Sequence, residues 1–171
     1  MTADDLVVRS VADDDRALLR SFECSTGTRW EDDVQTQVRE HLASRYLSTP
    51  PYFDGRMLFA LDGDGRLIVV GAHHIEPGLS PDIGYTEVLA VATEARGTLV
   101  EMPDTVPVTL GHFMLLTIFK QMRQLGRHQR TFVRVDRRNT RSLNLLDRVG
   151  LREERPDPVS EELVQRWGEL P

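Results

Sequence analysis

The stretch VRVDRRNTRSLNLLDRVGL, residues 133–151, decides how the rest of this chain is read. It begins inside the run Thr131–Val135 (TFVRV), whose β-branched and aromatic residues predict a strand. It then turns at Asn139, whose side chain can serve the N–H groups that a helix start leaves without partners. Leu145 and Val149 lie four apart and give the inward side of a helix over 139–149, closed by Gly150. A strand that hands over directly to a capped helix is one step of an alternating α/β chain.

Upstream, Leu110–Leu125 is a long apolar helix stopped by Gly126, and Tyr85–Ala92 (YTEVLAVA) is a strand. The strand–helix–strand over 85–135 predicts a parallel pair joined by a right-handed crossover. Met57–Leu61 and Arg66–Ile75 flank DGDG (62–65), a strong hairpin signal that adds antiparallel neighbours. The sheet is therefore mixed. LVVRS (6–10) reads as a short strand, followed by a helix over 13–22 with Ser10 and Asp13 at capping-box spacing. After the turn-rich link 23–29, a helix over 30–46 buries Val34, Val38 and Leu42, and Pro50 and Pro51 close the unit. Residues 77–81 are a loop, and 93–109, with Pro103 and Pro107, are irregular. After Pro156 and Pro158 the tail has room for a short helix around 160–168. The order is β-α-α-β-β-β-α-β-α, an α/β (α+β) chain whose mixed central sheet is flanked by helices.

The 171 residues suit one domain, 1–171, large enough to bury a core without metal or disulfide help. No apolar run reaches the roughly 20 residues that span a bilayer. The opening MTADDLVVRS lacks the basic-then-apolar pattern of a secretory leader, which places the protein in the cytoplasm with no membrane role. Cys24 is the lone cysteine, so no internal disulfide and no cysteine metal cluster is expected. The net charge of −6 argues against general nucleic-acid binding. Charge is uneven, however: from Arg123 to Arg141 there are seven arginines and one acid, Asp136. That region is either a solvated face or an anion site for a phosphorylated cofactor or RNA. Lys120 is the only lysine, a bias that fits a GC-rich bacterial genome.

Four patches taken in order resemble the GNAT acyltransferase superfamily. LVVRSVADDDRALL (6–19) is similar to its opening strand and helix, and RLIVVGAHHIEP (66–77) to its third strand. EVLAVATEARG (87–97) resembles the fourth strand and the start of the acyl-CoA motif. Residues 133–151 resemble the final motif, with Asn139, Ser142, Leu145, Gly150 and Leu151 at the family's spacing. The resemblance implies a slot between splayed fourth and fifth strands, which takes the pantetheine arm of acetyl-CoA or another acyl-CoA. Backbone of Leu89, Ala90, Val91 and Ala92, together with Arg96, Gly97, Gly111, His112 and Asn139, would then hold this co-substrate. Its pyrophosphate would sit on a helix start, where orphan donors and the dipole favour anions.

The sequence also departs from that pattern. After Arg96-Gly97 comes TLVEMPDTVPVTL (98–110), a stretch longer than the family's by about ten residues, before Gly111-His112-Phe113-Met114-Leu115. They interrupt the phosphate loop, and Glu101 and Asp104 bring negative charge close to it. Leu146 stands where the family commonly has a Tyr that can protonate the leaving thiolate. The family usually closes with two strands, and Pro156 and Pro158 leave little space for the second.

The candidate catalytic residues are Glu87, His73 and His74. Glu87 shares a strand face with Leu89 and Val91, where apolar neighbours could raise its pKa and make it a base. His73 and His74 are adjacent and face opposite sides, so one of them could relay a proton. His74 and Glu76 give two ligands without a third, and no metal site is expected. Two functions follow. One is an N-acyltransferase passing an acetyl or other acyl group to a small-molecule amine, a protein N-terminus or a lysine. The other is a GNAT-fold module without catalysis that binds a small molecule, protein or RNA. The acidic run Glu31-Asp32-Asp33 suits a cationic amine, but equally a helix start. The sequence does not name the acceptor or exclude a homodimer.

Overall fold

The chain opens with β1 (Val7–Ser10) and the short helix α1 (Arg16–Ser21), which follows a 3-10 turn at Asp13–Asp15. This is the arrangement in a computed structural model that describes residues 1–47, 52–103, 105–125 and 129–170. Pro50, Pro51, Asp104 and Gly126 of the sequence reading lie outside the described residues. The cap before α1 is not the expected Ser10–Asp13 pair. Asp15 accepts from the Ala12 N–H at 2.7 Å and holds Arg9 at 2.6 Å, because a carboxylate that serves two donors outcompetes a hydroxyl.

A single helical run follows, made of α2 (Arg29–Thr36), a π-helical turn (Gln37–Leu42) and α3 (Ala43–Tyr46). Val38 and Leu42 are fully buried and Val34 packs on the same core, as the four-residue spacing predicts. The hairpin of β2 (Arg56–Leu61) and β3 (Leu67–Ile75) closes over DGDG. There Asp62 Oδ1 accepts from the N–H groups of Asp64 and Arg66 at 3.0 and 2.9 Å, and Gly65 takes a φ of 77°. β4 (Ile83–Val91) comes next. The stretch read as irregular holds a small hairpin, β5 (Leu99–Val100) and β6 (Val108–Thr109), which leads into α4 (Leu110–Gln124). β7 (Arg130–Asp136) and α5 (Thr140–Arg148) follow the prediction closely.

The tail corrects the sequence reading. Residues around 160–168 form no helix; β8 (Glu153–Pro156) and β9 (Leu163–Glu169) are both strands. Pro156 ends an edge strand, where its missing N–H costs no ladder bond. Pro158 lies in a turn that Asp157 organises by accepting from the Val159 and Ser160 N–H groups at 2.9 and 3.2 Å. The two prolines punctuate the closing strands and leave both in place.

The main sheet has seven strands in the order β1-β2-β3-β4-β7-β9-β8, and every neighbouring pair is antiparallel except β4 and β7. α4 covers its centre. Leu110, Met114, Leu115, Ile118, Phe119 and Met122 form one buried stripe, each side chain contributing about 1.5–3 kcal/mol by leaving water. Gly71 lets the helix sit close to β3, since a Cβ there would meet Ile118 Cδ1 at 2.7 Å.

Candidate active site

β4 and β7 are neighbours only at their first residues. The parallel register pairs Ile83 with Arg130 and ends at Thr86 with Val133. Stacked rings hold this end together: Tyr85 on Phe132 at 4.7 Å and Phe132 on Trp167 at 4.5 Å. Beyond Thr86 the strands part, because β7 continues along β9 while β4 continues along β3. One edge of β4 is therefore left without a neighbouring strand. The Ala92 N–H bonds to Ile68 O at 2.9 Å, so antiparallel alternation turns the Ala90 and Val88 main chain toward β3 as well. The main-chain groups of Leu89 and Val91 are left to face the gap. Ala90 and Ala92, taken with them in the sequence reading, give their backbone to β3.

The gap opens into two adjoining cavities. One, of about 260 Å³, lies between β4, the start of α4 and α5. Arg96, Gly97, Gly111 and Asn139 all line it, together with Leu89, Ala90 and Val91. The other, of about 700 Å³, lies between the parted strands and contains Glu87, His74 and Tyr85. Trp30, Val34, Leu89, Asn139, Ser142 and Leu145 line both, so the cavities share a wall. Asn139 caps α5, its Oδ1 accepting from the Ser142 N–H at 3.1 Å, and so stands at the junction.

Among the described residues of the inserted segment 98–109, only Thr109 borders the first cavity. The β5–β6 hairpin is tied to the chain start through Ala3 N–H to Glu101 O at 3.0 Å and Glu101 N–H to Met1 O at 2.9 Å. The Glu101 side chain is exposed. The hairpin does alter the start of α4. The Leu110 N–H bonds to Thr98 O at 3.2 Å and the His112 N–H to Thr109 Oγ1 at 3.4 Å. Gly111, between them, faces the first cavity, and Val91 Cγ2 and Leu145 Cδ2 would lie 3.5 and 3.6 Å from a Cβ there. Half-buried His112 has its pKa lowered, first by burial and then by the charge of Arg148.

Glu87 sits on a β-bulge: Thr86 pairs with His73 and Val88 with Ala72, so Glu87 has no residue opposite it. Its side chain is 4% exposed and is enclosed by polar groups. Arg45 pairs with Oε1, Gln37 Nε2 donates to Oε1 at 3.0 Å, and the Tyr46 hydroxyl donates to Oε2 at 2.5 Å. His74 Nδ1 lies 3.4 Å from Oε2 and 2.8 Å from the Tyr46 oxygen, and its Nε2 lies 3.3 Å from Glu76 Oε2. Glu76 is held in turn by Arg134 at 3.1 Å.

The expected raised pKa at Glu87 is not found. Burial alone would raise it, but the His74 and Tyr46 hydrogen bonds and the Arg45 charge outweigh burial and hold the carboxyl at about 2. Tyr46 is pushed the other way, by burial and by the adjacent Glu87 charge, and keeps its proton. His73 lies on the opposite face, its Nε2 3.2 Å from Gln121 Oε1 of α4, outside this cluster. Arg96 is paired with Glu31 at 2.8 Å on the wall of the first cavity. Sequence reasoning missed Gln37, Arg45 and Tyr46, which reach Glu87 from a helix 41 to 50 residues away.

The fold matches known structures. The PaiA N-acetyltransferase of Thermoplasma acidophilum, solved with coenzyme A, superposes with a TM-score of 0.70 at 14% identity, over 96% of this chain and 98% of that one. A GNAT-family acetyltransferase of Staphylococcus aureus gives 0.70 at 10% identity, over 97% and 99%. The fold is that of the GNAT N-acetyltransferases. A variant of the Vibrio cholerae spermidine N-acetyltransferase SpeG gives 0.58 at 12% identity, over 98% and 95%. No family model matches the sequence, and no curated protein is close enough to match. This GNAT fold thus carries a sequence far diverged from those neighbours. No helix among the described residues is long and apolar enough to cross a membrane.

Proposed function

We propose that the chain is an N-acyltransferase that moves an acetyl or other acyl group from acyl-CoA to an amine held in the second cavity. The parting of β4 and β7 after Thr86 carries this reading, because it leaves main-chain edge and adjoining cavities where an extended arm and an acceptor can meet. The free main-chain groups of Leu89 and Val91 fit a polar arm laid along β4 as an added strand. Bound acyl-CoA would supply a thioester carbon open to attack and a thiol as leaving group.

The chain's own residues handle position and protons. An amine is mostly protonated at neutral pH and must lose a proton before it attacks. Glu87, ionised and fixed by the donors around it, attracts the cationic amine into the cavity, but its pKa of about 2 makes it a weak base. His74 carries the proton instead. The Tyr46 oxygen faces its Nδ1 and Glu76 faces its Nε2, so the relay balances when Tyr46 accepts the amine's proton, turns its own proton from Glu87 Oε2 to His74 Nδ1, and the Nε2 proton passes to Glu76 beside Arg134. As the new C–N bond forms and the C–S bond breaks, Trp30, Val34 and Leu145 screen the junction from water.

Calorimetry with acetyl-CoA and CoA tests the reading, followed by thiol release with an amine panel led by polyamines, the acceptor class of the SpeG neighbour, and including a lysine peptide. Micromolar binding and turnover with one acceptor class are expected; absence of CoA binding refutes the proposal. Leu146, buried at 3% in the second cavity, favours the second reading of a binding module, because it brings no hydroxyl to the leaving sulfur. CoA binding without turnover on any amine would select that reading.

A further inference from the structure

We propose that the nucleotide end of the acyl donor is held by α5, through the guanidinium groups of Arg141 and Arg148, and not chiefly by the start of α4. The inference rests on the acyl-CoA reading above. It begins with what the inserted hairpin does: Thr98 and Thr109 accept the Leu110 and His112 N–H groups, so two donors of that helix start are already spent on the protein itself. A diphosphate placed there finds Gly111 and little else.

Six arginines line the two cavities, and four of them are held by carboxylates. Arg29 lies 3.6 Å from Glu162, Arg96 2.8 Å from Glu31 and Arg134 3.1 Å from Glu76, and Arg45 pairs with Glu87. Arg141 and Arg148 face no carboxylate within ion-pair distance among the described residues, and both line the first cavity. They belong to one stripe of α5, Arg141, Asn144, Leu145 and Arg148, and all four side chains border that cavity.

The placement is electrostatically unusual. Arg141 stands in the first turn of α5, which holds no acid, although a cation there opposes the helix dipole. The neighbouring start of α4 also lacks an acid. The mouth of the first cavity is therefore positive in a chain whose net charge is −6. The arginines are seven residues apart, two turns or about 10 Å along the helix. One orthophosphate cannot reach both. A ligand with two separated phosphate groups can, and the adenosine 3′-phosphate 5′-diphosphate of CoA is such a ligand. Guanidinium groups grip phosphate oxygens in bidentate fashion.

The test compares CoA, dephospho-CoA and pantetheine by calorimetry on the wild type and on Arg141→Gln, Arg148→Gln and the double variant, with thermal melts to confirm folding. The double variant is expected to lose CoA affinity by about tenfold per arginine, the scale of a charge-assisted contact, and to keep its pantetheine affinity. One single variant should also lose the preference for CoA over dephospho-CoA, which identifies the arginine that reads the 3′-phosphate. If the double variant binds CoA within twofold of wild type, the inference fails and the acyl-CoA reading stands. An equal loss for pantetheine, which has no nucleotide, also overturns it. A wild type that binds no CoA removes the reading beneath it.

Discussion

Replacing Glu87 with Gln tests whether the buried carboxylate is charged in the folded protein. Its pKa is held at about 2 against an ordinary 4.5, so it binds a proton more weakly in the folded state than in the unfolded chain. A depressed carboxyl contributes stability that is complete above about pH 5 and is lost as pH falls toward 2. The shift corresponds to about 3 kcal/mol at pH 7, about 1 kcal/mol at pH 3 and under about 0.5 kcal/mol at pH 2. These are upper figures for Glu87→Gln, since the amide oxygen can still accept from Arg45 or Gln37. Urea unfolding of both proteins at pH 7, 5 and 3 measures the difference. The variant should be less stable at pH 7, and the gap should narrow steadily on acidification. A gap that stays the same from pH 7 to pH 3 would refute the reasoning, because it would mean that lost packing and not lost charge sets the cost. A variant more stable than wild type at pH 7 would show that desolvation outweighs the donors around Glu87, and would restore the raised pKa and the role of base.

Gly111→Ala should keep CoA affinity within a few-fold, since the added methyl meets Val91 and Leu145 at ordinary contact distance, while Gly111→Glu should abolish it in the same titration. Gly168→Ala should cost about 1–3 kcal/mol in a thermal melt, because its Cβ would lie 2.7 Å from Gly150 O and 2.7 Å from Leu151 Cδ2 in a packed region. With an active acceptor in hand, His74→Asn should lower kcat at least tenfold with KM for the acceptor changed by less than about threefold, because the residue moves a proton and does not hold the amine. A kcat within twofold of wild type would deny His74 the proton.

Long periodic elements were legible. The strand–helix–strand from Tyr85 to Val135 and the capped helix after Asn139 needed only local pattern, and they stand in the structure within a residue or two of the expected bounds. The closing strand was not legible, because Val164, Gln165, Arg166 and Trp167 are all buried and leave no alternation to see. The cavity positions of Arg96, Gly97, Gly111 and Asn139 came through resemblance, whose spacing encodes a three-dimensional arrangement that periodicity does not. The charge state of Glu87 was misread from its strand neighbours alone. Leu89 and Val91 are its neighbours in the chain, but Gln37, Arg45 and Tyr46 are its neighbours in space, brought there by packing of the second helical run.

That contrast bears on how the inserted hairpin can be tolerated. In the binding mode proposed above the arm would lie along β4 by main-chain bonding, which any side chains at Leu89 and Val91 permit, whereas the phosphates would need donors that are not otherwise engaged. Residues 98–109 leave the first requirement untouched, since only Thr109 of that segment borders the cavity among the described residues. They disturb the second by giving Leu110 and His112 partners inside the protein. A chain that kept acyl-CoA binding under that constraint must recruit phosphate donors from another wall. α5 is the wall with unpaired cations, and its Asn139 cap already stands where the two cavities meet. On the proposal above, the insertion and the arginine stripe are two halves of one arrangement, in which anion recognition would move from a backbone cradle to side chains and become correspondingly more sensitive to salt.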